Sequence, residues 1–139
     1  MAPKSQDIPI EQIIQQDEPE LLVKLAKQLA QRLRSDEASK TQLRKLYGTM
    51  KQIELSWPTN VETDEERRAR DDAYRELILF KPRLAYQGEK HPALKPLIAT
   101  MERGIDAVGK NRRRLQRLSQ FFEATLAYYV ATPSHRGGR

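Results

Sequence analysis

Apolar residues in this chain return every three or four positions, in blocks separated by polar breaks. That period belongs to helices that bury one face. Leu21, Leu22, Leu25, Leu29 and Leu33 form one stripe, with Lys24, Lys27 and Arg32 outside it. Its start near Asp17 or Glu18 is marked by Pro19 and by acids that suit the positive end of a helix. After a polar break at 35–40, the spacing of Leu43, Leu46, Tyr47, Met50 and Ile53 predicts a helix over 41–55. It should stop at Trp57-Pro58, because the residue before a proline is pushed out of the helical region.

Thr63-x-x-Glu66 is a capping box opening a further helix, with Ala73, Tyr74, Leu77, Ile78 and Phe80 as core positions. Pro82 is expected to kink or end it. The chain restarts at His91-Pro92, and Leu94, Leu97, Ile98, Met101, Ile105 and Val108 keep helical spacing up to Gly109. A last helix, from Asn111 to about Ala131, sets Leu115, Leu118, Phe122, Leu126 and Tyr129 on one side, widened by Phe121, Thr125 and Tyr128. Near the start, Asp7 is placed to cap a short helix with Pro9 in its first turn, carrying Ile10, Ile13 and Ile14. No useful run alternates with period two. The expected fold is all-α: a compact bundle of about five main helices plus a short N-terminal one. Residues 1–16 read as a flexible N-terminus with that short helix, 17–131 as a single bundle domain, and 132–139 as a disordered tail.

Composition narrows the picture. A 139-residue chain fits one core, and 38% hydrophobic residues, 32% charged residues and a mean hydropathy of −0.76 make that core thin. With no cysteine, disulfides and thiolate metal sites are excluded. The longest apolar runs, such as 77–80, are far too short to cross a membrane, and no signal-peptide layout is visible. A cytoplasmic location is the expectation.

Charge changes the picture further. The net charge is +6, unevenly spread. Residues 59–80 hold seven acids against four Arg, whereas 111–139 hold six Arg against one acid. Arg44 and Lys51 lie seven residues apart on one helical face with Lys45 beside them. Lys81 and Arg83 flank Pro82, with Lys90 further on. Arg113 and Arg117 are one turn apart between Arg112 and Arg114. Lys and Arg reaching from helices suit phosphate oxygens, but solvated helical faces carry the same residues. An adaptor whose basic face meets an acidic protein is equally compatible. Arginines at 112–114 oppose the positive helix end, which points to a bound anion or an acidic partner.

Catalytic chemistry finds no footing. His91 sits in a loop beside a proline and His135 in the tail, neither with a partner at ligand or triad spacing. Asp71-Asp72 and Glu65-Glu66 are adjacent pairs whose side chains diverge by about 100°, so they suit pairing with Arg67, Arg68, Arg70 and Arg75. Catalytic residues, metal and cofactor are all expected to be absent. Tyr86 and Trp57, the candidates for stacking on bases, read as core-edge residues.

Three segments together carry a resemblance: Thr41-Gln-Leu-Arg-Lys-Leu-Tyr47, Phe80-Lys-Pro-Arg-Leu-Ala-Tyr-Gln87 and Phe121-Phe-Glu-Ala-Thr-Leu-Ala-Tyr-Tyr129. In this order and spacing, over roughly residues 39–130, the chain resembles the small subunit of the type III-A CRISPR effector, the Csm complex. The resemblance implies a compact helical bundle present in more than one copy beside backbone subunits that carry the guide RNA. It implies contact with target RNA along the guide–target duplex, with cleavage left to the backbone subunits and second-messenger synthesis to the large subunit. Matching positions are Arg44, Lys45, Lys81 and the segment after Tyr86. There the family's Gly-Arg pair is replaced by Gln87-Gly88-Glu89-Lys90, so that Lys90 stands in for an arginine and Glu89 adds an opposing charge. The ending also lacks the family's aromatic and glycine finish. The RNA contacts expected on these grounds are Arg44, Lys45, Lys51, Lys81, Arg83, Lys90, Arg113 and Arg117.

Overall fold

The structure, a computed structural model, describes residues 8–131. The Asp7 cap and the tail at 132–139 lie outside the described residues. Among the described residues six α-helices and one 3-10 turn follow in order: α1 (Ile10–Gln15), α2 (Pro19–Ser35), α3 (Lys40–Ser56), α4 (Asp64–Lys90), the turn Pro92–Leu94, α5 (Lys95–Val108) and α6 (Arg112–Ala131). Among the described residues there is no strand, and the fold is the all-α bundle that the apolar periodicity predicts.

Local signals set most helix ends. The Ser39 side chain accepts from the Gln42 amide at 3.2 Å to start α3. Both halves of the Thr63–Glu66 capping box are formed at the start of α4. The amides of Thr63 and Glu62, donating to the Glu66 carboxylate, hold its pKa below the ordinary range. At the other end of α2, Glu37 adopts a left-handed φ of 56°. The Ala38 amide then reaches back to Leu33 O, and the Glu37 amide to Arg34 O, the reverse turn that closes a helix C-terminus. Tyr129 Oη donates to Ala38 O, and the Arg34 guanidinium lies 5.0 Å from the Tyr129 ring centre, so this turn is clasped to α6.

Pro82 does not end α4, which continues through Lys90. The proline removes one N–H from the ladder and costs a helix interior about 3 kcal/mol. Phe80 and Leu84 lie on either side of it, 1% and 0% exposed, and burying each side chain is worth ~1.5–3 kcal/mol. Tertiary packing therefore carries the helix across the break.

The core centres on α6, which packs on α2 most extensively and also on α1, α3 and α5; α4 takes a different place, against α3 and α5. Gly104 permits a close approach of α5 to α6 and α1. A Cβ there would stand 2.5 Å from Leu118 Cδ1 and 3.3 Å from Ile10 Cγ1. Ile10, Ile13 and Ile14 of α1 are all buried within this core. Arg103 holds α1 from α5 through two bonds to Glu11, Nε–Oε2 2.9 Å and Nη2–Oε1 2.7 Å.

Overpacking at Gly104 should be costly: Gly104→Val is expected to lower stability by about 2–3 kcal/mol in urea denaturation. The Glu11 pKa is lowered on folding, first by the hydrogen bond from Arg103, so the folded state binds fewer protons. The pair's contribution is complete above the ordinary glutamate pKa of about 4.3 and is lost as pH falls through the lowered value. Side-chain exposures of 37% and 44% limit it to ~0–1 kcal/mol. Glu11→Gln should flatten the acid limb of stability by that amount, read from urea melts at about pH 3 and about pH 7.

Candidate nucleic-acid interface

Apolar anchoring of α3 and α4 decides where their cations point. Leu43, Leu46, Met50 and Ile53 fix one face of α3 in the core, which sends Arg44 and Lys45 outward on diverging directions. Ala73, Leu77, Phe80 and Leu84 do the same for α4 and turn Arg83 and Lys90 outward. Between the two helices runs a groove of about 280 Å³, floored by Leu46 and Phe80. Its walls bring together Lys45 from α3 with Arg83, Lys90 and His91 from the end of α4, and the neutral side chains Gln42, Thr49 and Gln87. Among the described residues, no carboxylate lines it.

The eight expected contacts divide by what already occupies them. Among the described residues, no ion pair involves Arg44, Lys45, Arg83, Lys90 or Arg113. The other three are engaged within the chain. Lys51 Nζ bonds Glu54 at 3.2 Å and Lys81 Nζ bonds Asp106; these hydrogen bonds raise both ammonium pKa values. Arg117 Nη1 donates to Ile14 O at 2.9 Å, holding the C-terminal turn of α1. Lys45 thus joins Arg83 and Lys90 across the groove, whereas Lys51, its neighbour in the sequence pattern, belongs to a pair with Glu54.

The arginines at the start of α6 have internal partners too. Arg112 Nε reaches Trp57 O at 3.4 Å and Arg114 Nη1 reaches Ala107 O at 3.3 Å. Trp57 caps the C-terminus of α3 and Ala107 lies in the last turn of α5. These are the negative ends of two helices, so an anion is not required to explain Arg112 and Arg114. Arg113 is left exposed. In the acidic stretch, Asp64 pairs with Arg67, and Asp71 with Arg70 at 2.9 Å and with Lys110 at 3.2 Å. The hydrogen bond from Arg70, followed by that from Lys110, lowers the Asp71 pKa. Of the expected cationic partners, Arg67 and Arg70 are used, and Lys110 arrives from beyond α5.

Two readings of single residues change. Trp57 is 3% exposed and lies in the core rather than at its edge, while Tyr86 is 59% exposed, with Lys90 Nζ 5.3 Å from its ring centre. Glu89 faces Lys95, at 3.9 Å, and stays out of the groove whose rim Lys90 supplies. His91 is half-buried at the end of α4 and lines the groove, a place that a loop residue beside a proline did not announce. Its amide bonds Gln87 O at 2.8 Å and its carbonyl accepts from Leu94, and these backbone bonds fix its position.

Among the described residues no cluster of three or more His, Asp or Glu is arranged to hold a metal ion. No described helix is long and apolar enough to cross a membrane. Fold and surface together define a small all-α bundle that exposes an acid-free cationic groove between two helices. A family model described as Csm2 Type III-A matches residues 16–134, and the chain belongs to that family. It is a small subunit of the type III-A CRISPR effector, the Csm complex, and other Csm subunits are its partners. No curated protein and no solved structure matches the chain.

The division of the cations should show in stability. Arg117→Ala is expected to cost ~1–2 kcal/mol, since a buried-edge carbonyl loses a charged donor. Arg83→Ala should stay within about 0.5 kcal/mol of the parent. Urea denaturation of the two variants distinguishes them.

Proposed function

We propose that this chain contacts target RNA as a non-catalytic subunit, holding the strand's phosphates in the groove between α3 and α4. The observation that carries this reading is the convergence of Lys45, Arg83 and Lys90 on one groove without a carboxylate. Three cations on two rigid helices form a fixed positive field for a polyanion. Their contacts position a strand without reading its sequence, a task left to base pairing with the guide in RNA-guided effectors. Arg44 and Arg113 are further exposed cations that extend the positive surface, while Lys51, Lys81 and Arg117 act within the fold. Cations lining the groove, with neutral side chains between them, suit the binding of a polyanion. The guide–target duplex, the backbone and large subunits, and further copies of this chain are its proposed neighbours in a cytoplasmic complex.

The test uses the assembled complex with target RNA. Lys45→Ala combined with Arg83→Ala is expected to weaken target binding about tenfold or more and to lower the dependence of log K on log salt by about 1.4, two phosphate contacts at ~0.7 each. Assembly of the complex should be unchanged. Unaltered RNA binding with altered assembly would instead assign the groove to an acidic protein partner and overturn the proposal.

A further inference from the structure

Around and past Pro82, the outer face of α4 carries Leu79, Pro82, Arg83, Tyr86 and Lys90, all exposed. Separations of three and four residues align Leu79, Arg83, Tyr86 and Lys90 in one stripe. Arg83 and Lys90 also belong to the groove, so this stripe is the groove's outer rim. Tyr86 stands within it at 59% exposure; the other large hydrophobic side chains exposed among the described residues are all aliphatic. A ring this open on a helix has no packing reason to be aromatic. The Lys90 ammonium lies 5.3 Å from its centre, a cation–π contact that limits the ring's rotamers.

Such a ring, flanked by Arg83 and Lys90, has the two features a single nucleotide needs. One is a planar surface for the base, and the other is cationic groups one helical turn away for its phosphate. A base inside a duplex has both faces covered by its neighbours, so only an unpaired base has a face free for the ring. Resting on the reading that the groove meets RNA, we infer that Tyr86 is a stacking platform for an unpaired RNA base whose phosphate lies over Arg83 and Lys90. The interface then has a component that charge does not supply. An apolar protein segment fits the stripe less well, because Arg83 and Lys90 would have to be desolvated beside it.

The experiment places 5-iodouridine at successive positions of the target RNA in the assembled complex and compares the parent with Tyr86→Phe, Tyr86→Leu and the Lys45→Ala/Arg83→Ala variant. Photocrosslinks to Tyr86 are expected at one or a few positions. Tyr86→Phe should bind target within about twofold of the parent, and Tyr86→Leu should bind about 5- to 100-fold more weakly. The salt dependence of Tyr86→Leu should match the parent's, because no charge is removed. If Tyr86→Leu binds as tightly as Tyr86→Phe, or no crosslink reaches Tyr86, the stacking inference fails. In that case a loss seen only in Lys45→Ala/Arg83→Ala leaves the backbone contact standing. If neither variant affects RNA binding, the reading of the groove itself fails. Impaired assembly of Tyr86→Leu without RNA would assign the ring to a protein partner and overturn the inference.

Discussion

Phe121 and Phe122 are consecutive on α6, and both are fully buried. Adjacent helical side chains diverge by about 100°, so α6 must be covered over a wide arc and not along one stripe. Leu115, Leu118, Ser119, Thr125 and Tyr129 are buried on the same helix. The demand is met by surrounding α6 with α1, α2, α3 and α5. Tyr47 of α3 meets Phe122 edge-on, ring centres 5.5 Å apart and planes at 73°, an arrangement that aromatic quadrupoles favour. With α3 and α5 both bound to α6, α4 packs against those two, and the groove at the α3–α4 seam follows. Its place is a geometric consequence of how the last helix is buried.

That dependence also sorts the charges. Partly buried cations around α5 and α6 are drawn to carbonyls and carboxylates of neighbouring elements: Arg103 to Glu11, Arg117 to Ile14 O, Arg112 to Trp57 O. Among the described residues, Arg44 and Lys45 of α3 and Arg83 and Lys90 of α4 enter no ion pair. The chain's positive charge is thus divided between fastening and display, and the two uses are not distinguishable by residue type. Lys90 fits the same view. A lysine is a point charge on a flexible stem and lacks the planar fork of arginine. Here it lies against the Tyr86 ring, where a compact ammonium suffices.

The helices were legible in the sequence because each leaves a local mark: a leucine stripe in α2, a capping box at α4, a proline after Trp57. The groove's cations were legible as candidates, but their grouping was not. Arg44, Lys45 and Lys51 look like one cluster on a helical projection, yet the neighbour that claims Lys51 is Glu54 on its own helix, and those that join Lys45 lie on α4. The bond from Arg117 to Ile14 spans 103 residues, and no periodicity encodes such a partner. Pro82 shows a related limit. A local rule breaks the helix there, and the burial that overrides it comes from elements before and after it in the chain. For Tyr86 the amphipathic pattern was ambiguous, since a tyrosine beside a helix edge packs inward or outward at similar cost until its neighbours are known.

The short helix α1 makes the first of the described helices dependent on the last. Its isoleucines are covered by α5 and α6, whose residues leave the ribosome about a hundred positions later. During synthesis α1 therefore lacks most of its native surface, and three isoleucines remain available to any other apolar surface until α5 and α6 have emerged. Contacts of such sequence separation slow folding and lengthen the interval in which aggregation competes. The Glu11–Arg103 pair and the bond from Arg117 to Ile14 O tie α1 to α5 and α6 once those two helices are in place.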